Sequence, residues 1–164
     1  MSGISPSTLR GWHLDQLHKN VAILHNILTS VSAEDATTYR DNGSGWTALE
    51  VICHLRDLEA VILQRATLTV EQESPALPNF DADATALAGR YNEQNLESAY
   101  QEWVEGRTVL LAYLAEVNDA AWERVGVHPK RGAMTLADQL AFTAWHDTNH
   151  IEQLVRILAE KKLT

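Results

Sequence analysis

Four stretches of the chain carry apolar residues at alternating intervals of three and four, the spacing that places them on one face of an α-helix. The clearest of these seams lies in the first stretch and consists of Leu14, Leu17, Val21, Leu24, Leu28 and Val31. No segment alternates apolar and polar residues for long enough to predict a strand. The spacing therefore predicts an all-α fold.

Capping and turn residues set the limits of the predicted helices, which run from about Ser7 to Ser32, Thr47 to Val70, Asn92 to Val117 and Thr135 to Lys161. Glu50 follows Thr47, and Asp138 follows Thr135, at the spacing of N-terminal caps. Residues 71–90 show little periodicity and predict a long connection between the second and third helices, and residues 126–132 predict a turn-rich loop. Helices of about 30 Å favour a four-helix bundle, with a single domain over residues 1–164.

Charge, the length of apolar runs and cysteine content restrict the partners and the location that we expect for this protein. Lysine and arginine number 13 against 22 acidic residues, a formal charge of −9, so we expect no nucleic-acid partner. No stretch approaches the roughly 18 apolar residues of a membrane helix, and the first residues lack the layout of a signal peptide. The single cysteine, Cys53, excludes an internal disulfide and fits a reducing cytoplasm, where we expect the protein to reside.

Histidines provide the strongest indication of chemistry. His146 and His150 lie one turn apart on the fourth predicted helix, where they can bind one metal ion together or simply face solvent. A helical wheel places both at the margin of the apolar stripe, and it gives His54 the same position on the second predicted helix. The three imidazoles could therefore meet in a crevice between two helices.

Three imidazoles with open coordination positions are typical of catalytic metal sites, because structural zinc sites use four protein ligands. Neutral imidazole suits zinc, nickel, iron(II) and cobalt, and the residues do not choose among them. The pair also resembles the zinc-protease motif H-E-x-x-H, but Asp147 replaces the glutamate, and the acids after His150 lie on the same helix. A third ligand must come from upstream, which favours His54.

Asp147 is predicted to lie against the core, since the same wheel places it close to the centre of the apolar stripe. A buried carboxylate needs a partner, and the free ring nitrogen of a metal-bound histidine is one candidate. Asp147 is therefore a candidate to orient a ligand or to act as a base on water. The alternative is an aspartate at a polar gap in the stripe.

The other candidates carry less information. His18 and His25 share one face of the first predicted helix and are either pocket-lining groups or histidines at the edge of the core. His128 is predicted to be a loop or solvent residue without a role. Cys53 points about 100° away from His54 on a helix, which favours packing over ligation.

Two runs of sequence resemble a known family. One is GWTALE at residues 45–50, with His54 four residues later, and the other is GAMTL at residues 132–136, leading to HDTNHIEQL at residues 146–154. Together they resemble the pattern of the DinB/YfiT-like superfamily, W-[ST]-x-x-E-x-x-x-H followed by H-[DN]-x-x-H-x-x-Q. The resemblance extends over nearly the whole chain.

This resemblance implies a four-helix bundle, often dimeric, that binds a divalent ion such as zinc, nickel or iron through His54, His146 and His150, with Gln153 in a structural role near the site. Characterised members include metal-dependent transferases and an isomerase that act with small thiols such as bacillithiol or mycothiol. We therefore expect a homodimeric metal-dependent thiol transferase or hydrolase acting on a small molecule. The alternative is a metal-binding or dimerising scaffold without turnover.

Overall fold

The computed structural model describes residues 3–161 and consists mainly of four long helices, as predicted. In chain order the elements are α1 (Pro6–Leu28), α2 (Ala33–Thr38), α3 (Ala48–Glu71), α4 (Ala82–Ala88), α5 (Leu96–Ala115), β1 (Val125–His128), β2 (Gly132–Thr135) and α6 (Leu136–Glu160). The long helices are α1, α3, α5 and α6, and the predicted long connection between α3 and α5 is present. None of the helices within residues 3–161 has the length and apolar character needed to cross a bilayer.

Both predicted capping boxes are present, and they begin the two helices that carry the candidate histidines. The Thr47 hydroxyl accepts a hydrogen bond from the Glu50 amide at 3.2 Å, and the Glu50 carboxylate accepts one from the Thr47 amide at 2.8 Å. Thr135 and Asp138 repeat this exchange at 3.0 and 2.9 Å. Because the caps satisfy amides that the helix leaves without a partner, they fix where α3 and α6 begin.

The first helix is shorter than predicted. It ends at Leu28, and a separate helix, α2, begins after Ser32. Ser32 and Asp35 form a capping box of their own, which starts the new helix where the apolar seam alone suggested continuation.

The predicted loop at residues 126–132 was wrong, because the structure has a β-hairpin there. Strands β1 and β2 pair in antiparallel register, and each has only four residues, too few for the alternation to be visible in the sequence. Gly126 lets β1 approach α3, since a Cβ at this position would lie 2.7 Å from Thr69 Oγ1. The hairpin also holds the connection after α3, where the Val127 amide donates to the Pro75 carbonyl at 2.7 Å.

The packing order, which periodicity did not reveal, places α3 against both α5 and α6, and α6 against α1. The Tyr100 hydroxyl donates to the Val21 carbonyl at 3.1 Å and links α5 to α1. The core has two apolar clusters, one around Ile52 and Leu154 and the other around Leu17 and Leu140. Polar side chains from all four long helices lie between the two clusters.

Candidate metal centre

His54 of α3 and His146 and His150 of α6 form the histidine cluster. Nε2 of His146 lies 3.2 Å from Nε2 of His54 and 3.1 Å from Nε2 of His150. The ligand atoms of all three lie within 4.8 Å of one another. The structure therefore brings together the three residues selected from the sequence, at the interface between the two helices expected to carry them.

A chain of hydrogen bonds fixes the orientation of His150. Its Nδ1 lies 2.8 Å from Gln153 Oε1, and the Gln153 amide nitrogen donates to Asp41 at 3.0 Å. Arg156 in turn donates to both Asp41 oxygens at 3.1 Å, and its hydrogen bond, with that of Gln153, keeps the Asp41 pKa lowered despite partial burial. Because the Gln153 oxygen accepts the Nδ1 proton, Nε2 of His150 presents a bare lone pair to the cluster. Gln153 thus lies beside the cluster, as the resemblance implies.

Burial keeps the histidine cluster neutral. Loss of water, followed by the proximity of the other two imidazoles, lowers the pKa of His54 to about 3. Burial and the proximity of His150 lower the pKa of His146 to about 4, and burial also lowers the pKa of His150. Neutral imidazole is the form that binds a metal ion.

The donor set fits a divalent ion. Two nitrogens at the usual 2.0–2.1 Å from a tetrahedral zinc ion lie about 3.4 Å apart, close to the separations of 3.1 and 3.2 Å between these Nε2 atoms. Nδ1 of His54 and Nδ1 of His146 are buried without a hydrogen-bond partner in the described part of the chain. Three imidazoles and no carboxylate make up the cluster, which leaves coordination positions for a substrate or water.

Aromatic side chains surround the cluster. The ring centroids of Trp46 and Phe80 lie 5.0 and 5.6 Å from that of His54, and the Phe142 centroid lies 5.7 Å from that of His146. His54 itself is only 4% exposed. These rings limit the access of water and lower the local dielectric constant around the imidazoles.

Asp147 is buried as predicted, at 1% exposure, but the predicted partner was wrong. Its Oδ2 accepts hydrogen bonds from Arg107 Nη1 at 2.7 Å and from Asn20 Nδ2 at 3.2 Å, not from a histidine ring. A guanidinium is the stronger partner for a buried carboxylate because it neutralises the charge as well as donating. Asp147 therefore forms an ion pair with Arg107, and it does not orient a histidine of the cluster.

The ion pair belongs to a wider group, which we call the Arg107 layer and which consists of Asn20, Glu59, Arg107 and Asp147. Arg107 donates to both Glu59 oxygens, at 2.6 and 2.8 Å. Burial raises the pKa of Glu59, whereas the carboxylates of Asp147 and Glu59 outweigh the effect of burial on Arg107 and raise its pKa. Gly106 makes room for this contact, since a Cβ there would lie 3.2 Å from Glu59 Cγ.

Arg107 was not among the residues predicted from the sequence, although the sequence contains a signal for it. Arg107 follows Trp103 by four residues and precedes Leu110 by three, so it lies on the apolar face of the third predicted helix. A buried arginine needs a carboxylate, just as Asp147 needs a cation. Matching each buried charge with an opposite one would have paired Arg107 with Asp147.

Three histidine predictions are settled by position. His18 and His25 are exposed on α1, but the His25 ring centroid lies 6.1 Å from that of the buried core residue Tyr100, the position of a histidine at the edge of the core. His128, predicted to be a solvent or loop residue, is only 4% exposed and lines a crevice that also reaches His54 and His146. The hairpin that the sequence did not reveal is what buries it.

Cys53 packs in the core, as expected. It is fully buried, and burial, the largest effect, raises the pKa of its thiol to about 11. The described metal-ligand cluster does not include it. A thiol with this pKa is protonated and unreactive near neutral pH.

Comparison with known sequences gives relatives named for metal-dependent chemistry. A candidate metal-dependent hydrolase of Oceanobacillus iheyensis is 25% identical over 146 residues, which cover 85% of this chain and 80% of that protein. YfiT of Bacillus subtilis, also named as a candidate metal-dependent hydrolase, is 27% identical over 124 residues, which cover 74% of this chain and 67% of that protein.

Comparison with solved structures supports the bundle architecture. The structure of YfiT, described as a four-helix bundle of unusual topology, matches 99% of this chain and 91% of its own with a TM-score of 0.86 and 23% identity. The mycothiol-dependent maleylpyruvate isomerase matches 88% of this chain and 60% of its own with a TM-score of 0.73 and 13% identity. At these identities the likeness shows a shared fold.

A family model provides the assignment. The model of the DinB superfamily matches residues 16–154, a span that includes the histidine cluster and Gln153. The resemblance inferred from the two sequence runs is confirmed. This chain belongs to the DinB superfamily.

Proposed function

We propose that this protein binds one divalent metal ion through His54, His146 and His150 and acts as a metal-dependent enzyme on a small molecule. The observation that carries the proposal is the convergence of three neutral Nε2 atoms, one of them turned inward by Gln153. Three protein ligands leave room for a reacting group, which favours catalysis over a structural role. Zinc, nickel and iron are the ions that suit this donor set.

When bound, such an ion would act as a Lewis acid, which would lower the pKa of a water or thiol and polarise a substrate. The side chains around it provide orientation and exclude water. Gln153 holds His150 in the required tautomer, and Trp46, Phe80 and Phe142 restrict access. The Arg107 layer links α6 to α3 and α5 through hydrogen bonds of Arg107 to Asp147 and Glu59.

The nucleophile comes from solution. Cys53 is buried with a raised pKa, and Asp147 is paired with Arg107. Water would make the enzyme a hydrolase, a reaction supported by the names of the relatives from Oceanobacillus and Bacillus. A small thiol would make it a transferase, supported by the shared fold with an isomerase whose name specifies mycothiol.

Metal analysis tests the site. The protein loaded with zinc and then desalted should retain about one ion per chain, as expected for a single three-histidine site. His54→Ala should lose most of this metal while keeping its helical circular dichroism. The matched control His25→Ala removes an exposed histidine of α1 and should retain it. Full metal content in His54→Ala would refute the site.

Activity assays then separate the reactions. Metal-loaded protein is assayed for conjugation of an electrophilic dye with a panel of small thiols, and for hydrolysis of ester and amide substrates. Turnover only with thiols assigns a transferase, and turnover of esters or amides assigns a hydrolase. Silence in both panels from metal-loaded protein would refute the enzymatic part and favour a metal-binding scaffold.

A homodimer is also part of the proposal. The resemblance implies it, and α1 and α6, which pack together, expose Trp12 and Trp145 at 56% and 60%. Exposed tryptophans are enriched where proteins associate. Light scattering should give the mass of two chains, and a mass of one chain would refute the dimer.

A further inference from the structure

Most lysines and arginines in the described chain form ion pairs with carboxylates. Within residues 3–161, the four that do not are Arg65, Arg124, Lys130 and Arg131. Arg65, Lys130 and Arg131 line the crevice that reaches His54 and His146, and no aspartate or glutamate lines it. In a chain of net charge −9, this crevice holds a concentration of uncompensated positive charge.

His128 places a second donor beside one of these cations. Its Nδ1 accepts a hydrogen bond from the Lys130 amide at 3.1 Å, so a neutral ring carries its proton on Nε2. That Nε2 lies 3.3 Å from Nη1 of Arg131, which is also a donor. Burial, together with the three nearby cations, lowers the pKa of His128 and keeps the ring neutral. Two donors thus face the same space, and a single acceptor could satisfy both.

Arg65 has a similar unmet requirement. Its side chain is 7% exposed, and both Nε and Nη2 donate to the Pro78 carbonyl, at 3.0 and 2.8 Å. Its Nη1 has no hydrogen-bond partner in the described part of the chain. Burial lowers the pKa of this guanidinium, and repulsion from Arg131 adds to the effect. A buried cation without a counter-ion is costly unless an anion binds beside it.

The size and walls of the crevice limit what can bind. Its volume is about 170 Å³, below the roughly 300–1,000 Å³ of pockets for drug-sized ligands. Phe142 stacks on the Arg131 guanidinium with 4.1 Å between the guanidinium carbon and the ring centroid, and Phe80 forms part of the same wall. The walls of the crevice are therefore of three kinds: positively charged side chains, aromatic rings, and two histidines of the cluster.

We infer that this crevice binds the anionic group of a small organic substrate, a carboxylate or a phosphate. Its oxygen accepts hydrogen bonds from His128 Nε2 and Arg131, and Arg65 and Lys130 contribute positive charge. The apolar part of the substrate lies against Phe80 and Phe142, which directs the remainder to the histidine cluster. This inference rests on the proposed function, for which it specifies the substrate class.

Binding of simple probes tests the inference without requiring turnover. Calorimetric titrations of the full chain with benzoate, phenyl phosphate and neutral benzamide are run on both metal-depleted and zinc-loaded protein. We expect at least one of the two anions to bind about tenfold more tightly than benzamide, even without zinc. The tighter of the two anions identifies the preferred headgroup.

A matched pair of double variants locates the binding. Lys130→Gln with Arg131→Gln should weaken anion binding about tenfold, since both charges face the crevice. Lys19→Gln with Arg90→Gln removes the same net charge from exposed surface pairs and should leave binding unchanged. All four side chains are exposed, so the fold does not depend on them.

Three outcomes would overturn the inference. The first is that benzamide binds as tightly as the two anions, and the second is that both double variants lose the same amount of anion affinity. The third is that the anions bind only after zinc loading, with an affinity that does not depend on Lys130 and Arg131. Zinc content is measured on the same samples. Zinc retention without anion binding refutes this inference alone, whereas anion binding without zinc retention refutes the proposed function alone.

Discussion

Two polar groups meet at neighbouring residues of α6: His146 belongs to the histidine cluster, and Asp147 belongs to the Arg107 layer. In the Arg107 layer, the guanidinium meets carboxylate oxygens at 2.6–2.8 Å on two sides. In the histidine cluster, Nε2 atoms face one another, and Nδ1 of His54 and of His146 has no partner in the described chain. The first group is complete within the protein, whereas the second leaves ring nitrogens that no described residue satisfies.

The difference has an energetic consequence. Paired charges are costly to bury but more costly to separate, so the Arg107 layer should matter to folding whether or not metal is present. Neutral imidazoles are less costly to bury, and their contribution should appear only when an ion binds. A substitution in one group should therefore leave the contribution of the other group unchanged.

The largest effect is expected from Arg107→Met, which leaves Glu59 and Asp147 buried without a cation. We expect the free energy of unfolding to fall by about 3–5 kcal/mol, measured by urea denaturation. The control Arg90→Met breaks an exposed pair with Glu93 and should cost at most about 1 kcal/mol. A loss in Arg107→Met no larger than in this control would contradict the structural role of the layer.

Zinc addition should stabilise the wild type through the histidine cluster alone. At free zinc of about 100 times the dissociation constant, mass action predicts a gain of about 2.7 kcal/mol in the free energy of unfolding. His150→Ala should lose this gain, while Arg107→Met, if folded, should keep it because its three imidazoles remain. Equal gains in the wild type and in His150→Ala would show that zinc stabilises the protein elsewhere.

Gln153→Ala tests the orientation of His150. Without the Gln153 oxygen, the imidazole is free to change tautomer and rotate, so zinc affinity should fall about 10–100-fold with little loss of helix. Competition with a chromophoric chelator measures the affinity. Asn149→Ala removes an exposed amide of α6 that bonds to the Trp145 carbonyl, and unchanged affinity is expected there. Unchanged affinity in Gln153→Ala would show that this hydrogen bond does not prepare the site.

The smallest effect on metal binding is expected from Cys53→Ala, although Cys53 adjoins His54 in the sequence. Its thiol packs in the core, and its pKa is raised to about 11 by burial. Zinc content should therefore be unchanged, and the wild-type thiol should react with a disulfide reagent at pH 8 only after denaturation. Loss of zinc in Cys53→Ala would make the cysteine a ligand.

The histidine cluster could be predicted from the sequence because its geometry is local. His146 and His150 are one turn apart on one helix, and the angles of His54 and Asp147 around their helices follow from periodicity alone. The partners of these residues depend on which helices are neighbours. Since apolar seams do not encode that order, periodicity alone does not place Arg107 of α5 beside Asp147 of α6, and only the matching of opposite buried charges could have paired them.

The crevice was missed for a different reason. His128 and Arg131 lie in and beside a hairpin whose strands have four residues each, and the parallel contact of Ala76 with Val127 holds the preceding connection against it. Elements this short leave no periodic signal. The single-domain assignment over residues 1–164 remains a prediction.

The metal assignment is tested most directly by X-ray absorption spectroscopy of this chain loaded with zinc. We expect three imidazole nitrogens at about 2.0–2.1 Å from the zinc ion, further oxygen or nitrogen atoms in the remaining positions, and no sulfur. His18→Ala, which removes an exposed histidine of α1, should give the same spectrum as the wild type. A sulfur shell at about 2.3 Å, or fewer than three imidazoles, would contradict the assignment of His54, His146 and His150 as the metal ligands.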